Sequence, residues 1–260
     1  MTTTTDRTID ENYRRVRERM AAACKRAGRD PATVTLVAVI KYAELDWARR
    51  LVSLGAVELA ENRPQQLVRR AAQLTAPVHW HLIGPLQRNK VRSILPLASL
   101  IHSADSVRLL ESIDRIGGEL NLRPRVLLEV NLSGEAEKHG FLAEHLSAAW
   151  KQVLALPNLQ VDGLMTMAGW SPDPENARPA FRRLRELRDE LQSRSGSTVH
   201  LDYLSMGMTG DFEVAIEEGA THVRIGSALW DRLERPSRAA TTEDHDALSP
   251  PSQGGAGGVA

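Results

Sequence analysis

Eight short apolar runs, each separated from the next by an amphipathic stretch, constrain this chain more than any other feature. The runs occupy residues 34–40, 57–60, 78–83, 100–102, 126–130, 159–165, 201–204 and 222–225. The stretches between them, at 45–54, 64–74, 87–95, 106–116, 142–156, 174–193 and 211–218, carry apolar residues at helical spacing. In 174–193, Phe181, Leu184, Leu187 and Leu191 share one face. Strand–helix alternation implies parallel strands joined by right-handed crossovers. Eight such units in 260 residues predict a single (β/α)₈ TIM barrel. The alternative is a doubly wound open sheet, which would be expected to show a glycine-rich turn after its first strand. Lys41-Tyr42-Ala43-Glu44 stands there instead. An additional helix over 9–27 precedes the barrel, with Ile9, Tyr13, Val16, Met20 and Cys24 on one face and a stop at Gly28. Residues 1–8 are expected to be disordered, 9–235 to form the barrel, and 236–260, rich in Ser, Thr, Pro and Gly, to be a disordered tail. The last helix is expected to take Thr209 as its N-cap.

Lys+Arg and Asp+Glu both number 33, so the formal net charge is zero, which argues against nucleic acid or an anionic membrane as a partner. Cys24 is the only cysteine, so no intrachain disulfide can form and a reducing compartment is expected. No apolar run is long enough to span a bilayer, and the first residues lack the apolar core of a signal peptide. A cytoplasmic monomer is the expectation.

In a parallel barrel, chemistry gathers at the C-terminal strand ends. The first run ends at Lys41, whose amine is expected at the edge of a dry core, where burial favours the neutral nucleophile of Schiff-base chemistry. Other exits offer Asn62, His81, His102, Glu129, the Met165-Thr166-Met167 segment, Ser205-Met206-Gly207-Met208, and Arg224 followed by Gly226-Ser227. Ser205 and Gly226-Ser227 lead into predicted helices and resemble an anion site after strands seven and eight. Arg224 is expected either to face a ligand or to pair with Glu213 or Asp211. His79 and His81 are assigned to opposite faces of their strand, without the spacing of a metal site. Lys41 asks for a carbonyl, and the anion site asks for a phosphate. Pyridoxal 5′-phosphate (PLP) satisfies both, as does a phosphorylated sugar in a Schiff-base aldolase.

The segments Val37-Ala38-Val39-Ile40-Lys41, Glu61-Asn62-Arg63, 80–90 (beginning Trp80-His81-Leu82), 163–167, 204–213 and Val223-Arg224-Ile225-Gly226-Ser227-Ala228-Leu229 resemble the PLP homeostasis protein family, in its order and spacing, over residues 9 to 232. The resemblance implies a PLP-binding barrel of the alanine-racemase N-terminal type. It implies an internal aldimine on Lys41, Arg224 at the cofactor ring nitrogen, and Ser205, Gly226 and Ser227 at the phosphate. Asn62, His81 and Met206 are further candidate pocket residues. An arginine at the ring nitrogen keeps it unprotonated and weakens the electron sink needed for carbanion chemistry. Two departures are visible: Ile40 stands where the family has Ser or Thr, and Leu59-Ala60 where it has Phe-Gly. Both are expected beside the pocket.

Alanine racemase uses a second base, a tyrosine, reached through a separate C-terminal domain. Nothing after about Arg235 is expected to form one, and Tyr42, on the same strand end as Lys41, is not placed to act from the opposite face. The resemblance therefore implies a carrier or buffer of PLP in vitamin B6 and amino-acid homeostasis, with no catalytic residues and PLP-requiring apoenzymes as possible recipients. The alternative is a PLP-dependent enzyme with weak amino-acid racemase activity.

Overall fold

The computed structural model describes residues 3–132, 139–196 and 199–233; the tail expected at 236–260 lies outside the described residues. Eight strands, β1 (Thr35–Val39), β2 (Glu58–Glu61), β3 (His79–Leu82), β4 (Ala98–Ala104), β5 (Arg125–Glu129), β6 (Gln160–Met165), β7 (Tyr203–Ser205) and β8 (His222–Ile225), form a closed barrel in sequence order. Every neighbouring pair is parallel, and β1 closes on β8 through Val37↔Arg224 and Ala38↔Ile225. Around it run α1 (Thr4–Arg26), α2 (Leu45–Ser53), α3 (Pro64–Gln73), α4 (Val91–Ile94), α5 (Val107–Leu120), α6 (Ala143–Leu154), α7 (Arg178–Ser193) and α8 (Phe212–Glu217). The TIM barrel read from the alternation is the fold; closure of β8 on β1 excludes the open sheet.

Three expectations at the element ends are corrected. The first helix begins at Thr4, not near residue 9. Thr3 and Asp6 form a reciprocal capping box that satisfies the first free amides, and the threonine-rich composition hides this signal. The stretch 87–95 is a 3₁₀ turn over Arg88–Lys90 followed by the single turn of α4. Asp211, not Thr209, occupies the N-cap position of α8, and the Thr209 hydroxyl accepts from the Ala228 amide at 3.4 Å.

The core has two compartments. The larger lies between barrel and helices and takes the outward residues of the strands, among them Leu36, Ala38, Ile40, Leu59, Leu82, Leu164, Leu204 and Val223. Inside the barrel are two small apolar clusters, Val37, Val39 and Ala60 in one, and Leu100, Leu127 and Met165 in the other. Glu58, His81, His102, Ser205 and Arg224 make up a polar remainder of the interior. The N-terminal helix braces the end of the barrel: the Asn12 amide donates to the carbonyls of Leu229 (3.1 Å) and Asp231 (2.8 Å). Arg19 makes a two-pronged bond to Glu213 of α8 and lies over the Phe212 ring.

Candidate functional site

Strand alternation carries the inward series Val37, Val39 one step further to Lys41, at the C-terminal mouth. Lys41 is exposed, with its Nζ 5.1 Å from the centroid of the Tyr42 ring. The expected dry strand edge is corrected: Ile40 is still fully buried and bonded to the Ala60 carbonyl at 3.0 Å, but the chain turns at Lys41 itself, which is open to solvent. Half-buried Asn62 follows β2, and the Gly84 backbone packs directly on it. After β8, Gly226 and Ser227 sit in consecutive turns closed by Leu229 N–H to Gly226 O (2.9 Å) and Trp230 N–H to Ser227 O (3.3 Å), not in the helix start expected there. The Trp230 indole N–H donates to the Val39 carbonyl at 3.1 Å and ties this turn to β1. No backbone partner for the Gly226 or Ser227 N–H groups occurs among the described residues.

Beneath the mouth lies a buried polar chain. Arg224 of β8 donates from Nη1 to Ser205 Oγ at 2.6 Å and from Nη2 to the Thr166 carbonyl at 3.0 Å. Ser205 Oγ lies 2.8 Å from His102 Nδ1, His102 Nε2 lies 2.8 Å from His81 Nδ1, and His81 Nε2 lies 2.7 Å from Glu58 Oε2. Arg224 thus points into the barrel. It bonds to neither Glu213, which is taken by Arg19, nor Asp211, whose Oδ1 accepts from the Met208 amide.

Several sequence-based site assignments change. His81 does not reach the mouth; it is buried against Glu58, deep on the interior wall. His79 and His81 are on the same side, binding the two oxygens of Glu58, because residues two apart on a strand share a face. Met206 is fully buried in the compartment between barrel and helices, so its side chain is turned away from the mouth. Ile40 and Leu59 also face that outer compartment, and Ala60 sits in the apolar interior cluster. Ser205 is completely buried beneath Arg224. Glu58 was not singled out from the sequence, and Thr166 was offered at the sixth strand exit without its role as carbonyl partner of Arg224. The available signal was that inward positions 58, 81, 102, 205 and 224 are all polar where a barrel interior is usually aliphatic.

Burial pushes Arg224 down to about 10, against the pull of Asp211 and Glu129. Burial raises Glu129 to about 7, with Asp105 adding and His139 and Arg224 opposing. Burial also acts to raise Glu58, but hydrogen bonds from His81 and His79 outweigh it and hold the carboxyl down to about 2. His102 is held well below the usual imidazole range by burial, reinforced by His81, His222 and Arg224. At the opposite, N-terminal end of the barrel a cavity of about 630 Å³ is lined by Glu58, His79, His81, Arg125, Tyr203 and His222, among others. Lys41 and the amides of Gly226 and Ser227 lie at the other end, the C-terminal mouth.

Residues 7–232 match the family model of the alanine racemase N-terminal domain, which defines the class of barrel. A pyridoxal phosphate homeostasis protein of Aquifex aeolicus is 43% identical over 221 residues, covering 85% of this chain and 96% of that protein. One from Pseudomonas aeruginosa is 41% identical over 225 residues, covering 86% of this chain and 95% of that protein. PipY of Synechococcus elongatus, solved with PLP bound, superposes with a TM-score of 0.74 at 34% identity, covering 83% of this chain and all of that one (100%). The chain belongs to the pyridoxal phosphate homeostasis protein family.

Proposed function

We propose that this protein binds PLP at the C-terminal mouth of its barrel, carried through a Schiff base on Lys41, and that it holds and releases the cofactor instead of turning over a substrate. The observation that carries this reading is the donor set. A primary amine stands at the end of β1, two backbone amides without a backbone partner among the described residues follow β8, and beneath the mouth a buried guanidinium is fixed by its neighbours. The amides of Gly226 and Ser227 suit a phosphate, and Asn62 is a polar contact on the adjacent strand end. When bound, PLP supplies the aldehyde that the Lys41 amine meets. The relatives' name and the PLP seen in PipY support the same ligand.

Arg224 is a donor only, so the group facing it must accept. A pyridine nitrogen in that place stays unprotonated, which weakens the ring as an electron sink for carbanion chemistry. His81 and Met206 lie outside this contact set, and Ser205 contributes from beneath Arg224. The reading includes a cytoplasmic location and PLP-requiring apoenzymes as recipients.

The test is the absorbance spectrum of the purified protein mixed with PLP. A band above 400 nm should form, disappear on borohydride reduction, and leave the label on Lys41. Label fixed at another lysine, with Lys41→Ala binding unchanged, would overturn the assignment. A weak racemase is separated by incubating the loaded protein with single amino acids in deuterated water: stereospecific α-proton exchange at catalytic rates would favour the enzyme.

A further inference from the structure

The chain of contacts beneath the mouth has a direction. One end, Arg224, can only donate; the other, the ionised Glu58 carboxylate, can only accept. Between them stand three groups, Ser205, His102 and His81, each of which in its neutral form both donates and accepts once. Only one proton arrangement satisfies all five. Glu58 requires an N–H on His81 Nε2, leaving His81 Nδ1 bare. That nitrogen must then accept from His102 Nε2–H, leaving His102 Nδ1 bare, which must accept the Ser205 hydroxyl proton. Ser205 Oγ, in turn, accepts from Arg224. The contacts of 2.6 to 2.8 Å fit four good hydrogen bonds in series.

We propose that Glu58, His81 and His102 are positioning residues: through Ser205 they fix the proton positions and orientation of Arg224, tying the N-terminal face of the barrel to the mouth. Rings and charges from other strands support the neutral arrangement. His222 of β8 packs 6.3 Å from the His81 ring and 6.2 Å from that of His102, and a proton on His102 Nδ1 would leave the buried Ser205 hydroxyl unpaired beside the Arg224 charge. His79 shares Glu58 from the rim, and Arg125 lines the same N-terminal cavity but is paired with Asp162 and Tyr203. His102 and Ser205 are completely buried, so water does not compete for these bonds.

The role at the mouth rests on the PLP reading; the proton arrangement does not. The first test therefore needs no ligand: long-range ¹H–¹⁵N correlation of the full-length protein labelled with ¹⁵N-histidine, at pH 7.5. His81 and His102 should both appear as the Nε2–H tautomer. A His102 signal from Nδ1–H, or from imidazolium, overturns the relay. The second test is PLP affinity by absorbance titration. His102→Leu should weaken binding about tenfold, the scale of one charge-assisted hydrogen bond. It should have no further effect in an Arg224→Lys background, because both changes break the same chain. Losses that multiply, or a His102→Leu protein within twofold of wild type, overturn the positioning role. If wild type binds no PLP while both tautomers are as stated, the PLP reading fails and the relay stands.

Discussion

Gly84 lies against the carbonyl of Asn62, and a Cβ built on Gly84 would come 2.1 Å from that oxygen and 3.0 Å from the Asn62 Cα. No side-chain rotation relieves such a clash, because the obstructing atoms are backbone. The hydrogen bond from Ile83 N–H to Glu61 O at 3.0 Å fixes the two strand exits at this spacing. Gly84→Ala should therefore displace Asn62 at the mouth. We expect a loss of about 1–3 kcal/mol, or ~2–10 °C in Tm, together with weaker PLP binding. A normal Tm with unchanged affinity would show that the exit of β2 is not held by Gly84.

Lys41 is exposed and leaves a strand end, so its removal separates function from stability. Lys41→Ala should change folding stability by no more than about 0.5 kcal/mol in urea, the usual range for surface substitutions, while abolishing the borohydride-trapped adduct. A large loss of stability would mean that the lysine packs in a way its exposure does not indicate.

Glu61 gives a pH dependence of its own. Its carboxylate is buried with neither oxygen hydrogen-bonded, Arg70 Nε lying 3.4 Å away without bonding geometry. Burial raises its pKa to about 7, with Arg70 and the Asn62 amide opposing. The folded form thus holds its proton more tightly than the unfolded chain. The neutral carboxyl is fully tolerated below pH ~4.5, and stability is lost as pH rises toward 7, after which the difference is constant. Glu61→Gln should remove this component: the stability of the variant relative to wild type should rise between pH 4.5 and 7. A flat difference across that window would contradict the raised value.

His222 acts on the acid side with the opposite sign. Burial, then His81, lowers it to about 3, Glu58 opposing. Its neutral form is the one that folds, so the stability it permits is complete above pH ~6.5 and is lost as pH falls toward 3. His222→Gln should make the protein less sensitive to acid in that interval, measured as Tm against pH. An unchanged acid limb would assign acid denaturation to other groups.

The barrel was legible because its signal is repeated eight times and local: strand and helix periodicity survive without knowledge of partners. The placement of Lys41, Asn62, Gly226 and Ser227 at one end of the barrel was legible for a related reason, since each follows the end of a strand and strand ends share one face. Helix ends were less so, because Thr3 and Asp6 cap through a geometry that composition does not reveal, and α8 begins after Asp211 although Thr209 is an equally good capping type.

What the sequence determined by itself was therefore the architecture, the mouth, and the residue types placed there. Tertiary structure alone decided where the inward residues meet. Glu58, His81, His102, Ser205 and Arg224 come from five different strands, and only the closed register brings them within hydrogen-bond distance. The same closure turned His81 from a mouth residue into an interior link and sent Met206 to the outer core. The reason is physical: periodicity says which side of a strand a residue takes, but its depth and its partner depend on the register and stagger with which all eight strands close.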